Sequence, residues 1–219
     1  MTRKIVWIVT SALVVSAGIF WKYGPAWQNP RPATLSLNVT NHIAVPIIRG
    51  VELNGFTFSR IRASNIGDTG GTPYKSRWSN DLDFTLVWIE MISKQAWRAN
   101  FSVPIERLTT FGEDERHAQI ELKILAGGDF SIETPQVEYA RLIGLNRTGE
   151  VTDDMVQDIV LESSCADRLD DDDPVRLELL AGFEDWSVEG KLKGRATWIQ
   201  RKLPLPSSRC TPDWTVEGE

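Results

Sequence analysis

Apolar and polar residues alternate along several stretches of the chain, with the two-residue period that places successive side chains on opposite faces of a β-strand. Three such stretches follow one another at residues 35–41, 46–55 and 56–63, and the last two meet at Asn54-Gly55, a strong hairpin signal. This pattern predicts an antiparallel meander. Residues 64–81 are rich in glycine, serine, asparagine and aspartate, which indicates a long surface loop.

The most apolar alternating stretch, FTLVWIEMISKQAWRANFSV at residues 84–103, reads as a hairpin with Ser93-Lys94-Gln95 at its tip. A four-residue loop from Ile92 to Gln95 pairs Met91 with Ala96 and gathers apolar side chains on one face. A slip of one residue would place Trp88 opposite Asn100 and mix the two faces. We therefore predict four further cross-strand pairs: Glu90–Trp97, Trp88–Ala99, Leu86–Phe101 and Phe84–Val103. In this register Glu90 lies at the hairpin end, close to water.

The remaining pattern predicts a mainly β fold with one short helix. Residues 118–135 read as a hairpin that turns at residues 126–129, and residues 175–183 and 186–203 read as closing strands. Thr152 is a plausible N-cap for an amphipathic helix over residues 152–163, with an apolar stripe that includes Val156 and Ile159. The fold class expected is a single antiparallel, sandwich-like domain.

The N-terminus predicts a membrane anchor. Residues 5–21 carry no charge, and a helix of that length rises about 25 Å, close to the hydrocarbon thickness of a bilayer. Arg3 and Lys4 precede this segment, which favours a cytoplasmic N-terminus. The organisation expected is a cytoplasmic stub at 1–4, a transmembrane signal anchor at 5–23, a proline-containing linker at 24–33 and an extracytoplasmic β-rich domain at 34–219. The alternative is a cleaved signal peptide, which also exports the domain.

The two cysteines, Cys165 and Cys210, both lie in the exported part. An even pair in an oxidising compartment predicts a disulfide bond, and the alternative is two separate buried thiols. The localisation expected is the bacterial inner membrane, single-pass, with the C-terminal domain in the periplasm.

Charge and motifs give little support to several functional classes. The net charge of −6 offers no electrostatic basis for nucleic-acid binding. The histidines, His42 and His117, lack the further ligands of a zinc site, so we expect neither a metal nor a cofactor. The run at Asp170–Asp173 lacks the spacing of a calcium loop. The Asp68-Thr69-Gly70 sequence resembles an aspartic-protease motif, but its polar flanks favour a glycine-rich loop.

Catalysis and glycan binding each have one candidate residue. Glu90 is the best-placed acid for a glycan hydrolase, although no second carboxylate can be assigned to it. Trp78, in the long loop, is the candidate binding residue, because the tryptophans in the predicted strands are more typical of a core. No catalytic residue is assigned.

Several motifs together resemble a known family. They are V-E-L-N-G at 51–55, V-W-I-E at 87–90, Trp97, S-V-P at 102–104 and I-E-L-K-I-L-A-G-G at 120–128. In this order they are similar to a family of uncharacterised bacterial envelope proteins, often lipoproteins, that form a domain of unknown function. The resemblance spans about residues 35–133. This chain lacks the lipoprotein cysteine, has Ala126 where the family has proline, and carries a C-terminal extension. The resemblance implies an envelope location and the fold, without an activity.

These observations predict a membrane-anchored periplasmic binding protein without catalytic activity. It would contact another protein of the envelope, either as an immunity-like protein or as an envelope accessory protein. The alternative function is a cell-wall or glycan hydrolase, or a glycan-binding module.

Overall fold

The computed structural model describes residues 32, 34–43, 45–64, 71–75, 81–113, 115–181 and 207–215. Eleven strands and two α-helices are present in these residues. The strands are β1 Thr34–Asn41, β2 Ile47–Leu53, β3 Phe56–Ser64, β4 Gly71–Lys75, β5 Asp81–Glu90, β6 Ala96–Pro104, β7 Thr110–Phe111, β8 His117–Ile124, β9 Asp129–Pro135, β10 Asp158–Cys165 and β11 Asp167–Arg168. The helices are α1 Tyr139–Thr148 and α2 Pro174–Ala181. Short 3-10 turns lie at Ile105–Arg107 and Ala126–Gly128.

The strands form two sheets that pack face to face. The first sheet has the order β10-β9-β8-β1-β4, with β7 also paired to β8, and the second has the order β11-β6-β5-β2-β3. One apolar cluster includes inward side chains of both sheets, among them Leu37, Leu86, Trp88 and Ile120. Burying each such side chain stabilises the fold by about 1.5–3 kcal/mol. The mainly β, sandwich-like prediction is confirmed.

The predicted meander is only partly correct. β2 and β3 form the hairpin that turns at Asn54-Gly55, but β1 lies in the other sheet, antiparallel to β4 and parallel to β8. The chain crosses between the sheets directly after β1, where the buried Asn41 amide donates to the Val45 carbonyl and accepts from the Ile43 backbone N–H. Alternation shows which residues point inward but not which sheet a strand joins. β4 also occupies part of the predicted loop 64–81.

The predicted register of the β5–β6 hairpin is wrong by two residues. Trp88 pairs with Trp97 and Phe84 pairs with Phe101, and the ring centroids of these pairs lie 6.5 Å and 5.1 Å apart. The loop is Met91–Lys94, closed by a 3.0 Å hydrogen bond from the Glu90 N–H to the Gln95 carbonyl. A shift of two residues keeps every side chain on its predicted face, so the apolar pattern could not distinguish the two registers.

Two segments adopt the opposite secondary structure to the one predicted. Residues 158–165 form β10 instead of helix, because their backbone pairs with β9, with a bulge between Val160 and Glu162. Residues 174–181 form α2 instead of strand. Asp173 caps this helix by accepting from the Val175 N–H at 2.8 Å, and Pro174 occupies the first helical position. α1 was not predicted.

Helix α2 covers part of the outer face of the second sheet. Its Leu179 is fully buried and belongs to a second apolar cluster with Ile48, Ile89, Ala96 and Leu169. Both faces of the second sheet are therefore apolar where α2 lies. This explains the nearly unbroken apolar run at the end of β5.

An arginine joins the two sheets through the core. Arg49 on β2 is 1% exposed, lies opposite Trp88 in the register, and donates from Nη2 to the Val39 carbonyl of β1 at 3.1 Å. Because β1 and β2 belong to different sheets, this hydrogen bond crosses the sandwich.

The predicted disulfide is confirmed. Cys165 at the end of β10 is bonded to Cys210, with their Cα atoms 5.5 Å apart. The bond attaches residues 207–215 to one end of the sandwich. There the Ser208 and Thr211 hydroxyls donate to the Gly127 carbonyl at 3.3 Å and 2.8 Å.

Several predicted features lie outside the described residues. They are the anchor at 5–23, most of the linker at 24–33, the Asp68-Thr69-Gly70 motif, Trp78 and the closing strand at 186–203. In the part of the chain that the structure describes, no helix is both long and apolar enough to cross a membrane.

Candidate functional site

Glu90, the candidate acid, is sealed inside the protein. It is the last residue of β5 and is 0% exposed, so the expectation that it reaches water is wrong. Its two carboxylate oxygens accept from three side chains. The Ser93 hydroxyl donates at 2.6 Å, the Trp97 indole at 3.3 Å and the Trp214 indole at 3.0 Å. These bonds satisfy a carboxylate that has no ion pair among the described residues.

Three separate parts of the chain bring these donors together. Ser93 lies in the β5–β6 loop, Trp97 on β6, and Trp214 on the segment that the disulfide fixes. Trp97 also packs against the turn after β8. A Cβ atom on Gly128 would lie 2.6 Å from the Trp97 ring, and Gly128 has φ +85°, so only glycine fits there. Sequence reasoning missed Trp214, because this residue lies on the segment that the disulfide attaches to the sandwich.

The environment of Glu90 does not suit a general acid acting on a glycan. Burial raises the pKa of Glu90, and the hydrogen bonds from Ser93, Trp214 and Trp97 act in the opposite direction. Neither of the two clefts described below is lined by Glu90. A catalytic acid must reach the bond that it protonates, and this carboxyl is enclosed by its donors. Its position supports a structural role, in which it holds the C-terminal segment against the sandwich.

A polar network covers the outer face of the first sheet. Lys123 donates to Glu133 at 2.5 Å and to Asp158 at 3.5 Å, while Glu121 accepts from the Tyr139 hydroxyl at 2.7 Å. Burial and the neighbouring Glu121 raise the pKa of Tyr139. Burial alone would lower the pKa of Lys123, but the bond and charge of Glu133 raise it overall. Neither group is tuned towards neutral pH, so the network is typical of a structural sheet surface.

The two histidines lie at opposite ends of the paired strands β1 and β8. His42 directly follows β1, whereas His117 begins β8, where its Nδ1 is 2.8 Å from the Thr34 hydroxyl. Burial and the charge of Lys123 lower the pKa of His42. Within the described ranges, no three His, Cys, Asp or Glu side chains come together as metal ligands.

A strongly acidic stretch of the chain covers residues 138–173, and we call it the acidic edge because its two strands, β10 and β11, are edge strands among the described residues. This span holds eleven acidic and three basic residues, a net charge of −8 against −6 for the whole chain. It contains α1, β10 and β11, and each of these two strands ends the order of its sheet among the described strands. The rest of the sequence therefore carries a net charge of +2.

The acidic edge also exposes aliphatic side chains. Ile143 on α1 is 58% exposed, Val156 is 51% exposed, and Ile159 and Val160 on β10 are 44% and 53% exposed. Helix α1 buries no residue fully. Four of the five large hydrophobic side chains found exposed in the described part of the chain lie on this edge, and the fifth is Leu177 on α2.

A cleft of about 120 Å³ opens on the acidic edge, between β6 and β10. It forms because β11 pairs only with Arg98 and Trp97, which leaves β6 uncovered from Ala99 onwards among the described strands. Phe101 and Phe130, whose ring centroids lie 5.3 Å apart, are among its lining residues, and Phe130 is buried. Polar side chains form its walls: Arg98, Asn100, Glu162, Ser164 and Asp167.

A second, shallower groove of about 430 Å³ lies on the outer face of the second sheet. Its lining includes Glu52, Asp83, Thr85 and Asn100, and the Thr85 hydroxyl donates to the Asn100 side chain at 2.9 Å. The groove adds further acidic surface beside the cleft, since Asn100 and Phe101 line both.

No protein-family model and no curated protein matches the chain. The functional assignment therefore depends on the surfaces described above. The predicted site residues do not converge. Glu90 is sealed, Trp78 lies outside the described residues, and Cys165 and Cys210 form the disulfide next to the cleft.

Proposed function

We propose that this protein is a membrane-anchored, periplasmic binding protein without catalytic activity, which contacts a basic protein partner through the acidic edge. The N-terminal apolar segment supports the anchor, and the disulfide supports an oxidising compartment. An immunity-like protein or an envelope accessory protein is the form of this function that we favour.

One observation carries the proposal: the excess negative charge and most of the large aliphatic side chains found exposed among the described residues share the segment 138–173. Aliphatic side chains surrounded by charge are typical of protein interfaces, where an apolar centre lies within a polar rim. The concentrated charge would speed association with a basic partner and make it dependent on salt.

The test is recovery of a partner from solubilised envelope by the full-length protein. We expect a stoichiometric partner that the wild-type protein retains and that Asp153→Lys/Asp154→Lys loses, because the double substitution reverses charge beside Val156. The matched control is Glu113→Lys/Glu115→Lys, which makes the same charge change in the loop before β8. Val160→Ser should also weaken recovery, whereas Leu177→Ser, at similar exposure on α2, should not. Absence of a stoichiometric partner, or equal loss in the control variants, would overturn the proposal.

A further inference from the structure

We propose that helix α1 lies against the surface of the bilayer in which the protein is anchored. This inference rests on the membrane anchor of the proposed function, and it adds a second, weaker contact with the same membrane. Three properties of α1 support it: its place in the sandwich, its limited burial and its charge.

Helix α1 lies at the end of the sandwich where the chain arrives from the proposed anchor. We call this the anchor end, and it holds the first residues of β1 and β8, because Thr34 and His117 are paired in the register. β9 runs antiparallel to β8, so α1 leaves the sheet at the same end, and β10 begins there. The Tyr139 N–H donates to the Gln119 side-chain oxygen at 3.2 Å, which places the start of α1 beside the start of β8.

The length of the linker keeps the anchor end close to the membrane. Ten residues, 24–33, separate the proposed anchor from β1. A chain of ten residues spans at most about 35 Å, so Thr34 stays within that distance of the anchor. The disulfide lies at the opposite end of the sandwich, because Cys165 is the last residue of β10.

The sandwich buries little of α1. None of its ten residues is fully buried, Leu142 and Leu145 are half-buried, and Ile143 is 58% exposed. Isolated helices shorter than about 12–15 residues are marginal in water, so they take most of their stability from packing of an apolar face. A ten-residue helix with this little burial therefore gains stability from a second apolar surface.

The charge of α1 suits lipid phosphate groups and does not suit a basic protein. The helix contains Arg141 and Arg147 and no acidic residue, so it holds two of the three basic side chains of the acidic edge. Both arginines are exposed, and neither forms an ion pair with a residue that the structure describes. The acidic side chains that would attract a basic partner follow the helix, from Glu150 onwards.

The exposed face of α1 combines an aliphatic side chain with a cation. Arg147 lies four residues after Ile143, which places both side chains on one side of the helix. Ala140 and Gly144 are exposed as well, and their small size leaves the helix backbone open to a flat surface. Helices that lie in a membrane interface bind by this combination of apolar burial and attraction to anionic lipids.

A weak contact is sufficient because the anchor already holds the domain at the membrane. A tether makes the second contact intramolecular, with an effective concentration that the linker sets. Each arginine near an anionic surface favours the bound state about fivefold. The contact would orient the domain, since β10 would begin at the bilayer and its disulfide end would point away from it.

The experiment uses the full-length protein in nanodiscs of phosphatidylethanolamine and phosphatidylglycerol, with and without a spin label on the lipid headgroups. We expect the label to weaken the NMR amide signals of α1 strongly. The signals of Ser93 and Gly127, at the disulfide end, should lose little intensity. Ile143→Glu and Arg141→Gln/Arg147→Gln should each restore most of the α1 signal, whereas Ile143→Leu should not.

The matched control is Leu177→Glu, which introduces the same charge at a similarly exposed position on α2 and should leave the α1 signals weakened. Unchanged amide chemical shifts of α1 in the variants show that the helix is still folded. Equal weakening at both ends of the sandwich, or equal weakening of α1 in the wild type and every variant, would overturn this inference.

Two further outcomes separate this inference from the proposed function. A protein that enters the nanodiscs without weakening of the α1 signals would refute the bilayer contact and leave the anchor standing. If Ile143→Glu then also lost the protein partner, α1 would belong to the protein interface instead. Failure of the full-length protein to enter the nanodiscs would overturn the proposed anchor and this inference together.

Discussion

At the scale of the residue, the contacts of Glu90 show how separate parts of the chain are held together. A buried carboxylate costs free energy unless hydrogen bonds compensate for the water that it loses. Here a loop hydroxyl and two indole N–H groups supply those bonds, and the indoles come from different parts of the chain. The glutamate therefore joins β5, β6 and the C-terminal segment at one point.

The raised pKa of Glu90 predicts a specific dependence of stability on pH. Because the folded protein binds the proton more tightly than the unfolded chain does, the contribution of Glu90 is most favourable below the unfolded pKa of about 4.5 and is lost as pH rises through the folded pKa. The free energy of unfolding of wild type minus that of Glu90→Gln should thus decrease with rising pH, by at most about 1.4 kcal/mol per pH unit.

Urea unfolding of both proteins from pH 4 to pH 8 measures this difference. The control is the same pair of measurements with Glu150→Gln, which removes an exposed glutamate instead of a buried one. A wild-type minus Glu90→Gln difference that increases with pH would show that the three donors lower the pKa by more than burial raises it.

At the scale of the element, the structure departs most from the sequence pattern in the stretch from residue 139 to residue 181. The apolar stripe that predicted a helix at 152–163 is largely exposed, because it includes Val156 and the edge strand β10. A pattern of apolar residues predicts an element correctly when those residues face a core. On the acidic edge the apolar residues face the solvent, so their spacing does not indicate which secondary structure they form.

Helix α2 did carry a readable signal. Asp173-Pro174 is a capping residue followed by proline at the first helical position, and it precedes a segment whose Val175 and Leu179 share one helical face. The same residues also fit a strand, because Val175, Leu177 and Leu179 follow a two-residue period. The Asp173 cap favours the helix over the strand, because a capping side chain accepts from a free backbone N–H at the start of a helix.

The cap of α2 gives a prediction for stability. Asp173→Ala should lower the free energy of unfolding by about 1 kcal/mol, because it removes the acceptor for the Val175 N–H. Asp173→Asn keeps an oxygen at that position and should cost less, while the ion pair with Arg98 is lost in both. Chemical denaturation of the three proteins checks this order, and equal losses in Ala and Asn would assign the effect to the ion pair.

At the scale of the whole molecule, one disulfide connects the C-terminal segment to the corner where the two sheets meet. Cys165 ends β10, and directly after it Ala166 donates its N–H to the Gly128 carbonyl before β11 begins. The bond therefore fixes the strand edge next to the cleft and also the segment that brings Trp214 to Glu90.

Removing the disulfide should destabilise the whole domain. The bond joins residues 45 positions apart, which corresponds to a loss of about 3–4 kcal/mol in the chain-entropy description. Cys165→Ser/Cys210→Ser should therefore unfold at markedly lower urea concentration, and chemical reduction of the wild-type protein should reproduce the shift. A loss below about 1 kcal/mol would show that the contacts of Ser208, Arg209 and Thr211 hold the segment without the bond.

The sequence by itself determined the features that depend on local pattern. Alternation predicted strands β1, β2, β3, β5, β6, β8 and β9, Asn54-Gly55 predicted its turn, and an even cysteine pair predicted the disulfide, because each follows from neighbouring residues or from composition.

Only the tertiary structure decided what depends on distant contacts. It placed β1 in the sheet opposite β2, chose between hairpin registers that differ by two residues, and enclosed Glu90 with Trp214 from the other end of the domain. It also opened a cleft between β6 and β10. The physical reason is the same in each case: a period of two specifies which way a side chain points, whereas its neighbours are specified only once separate strands have packed together.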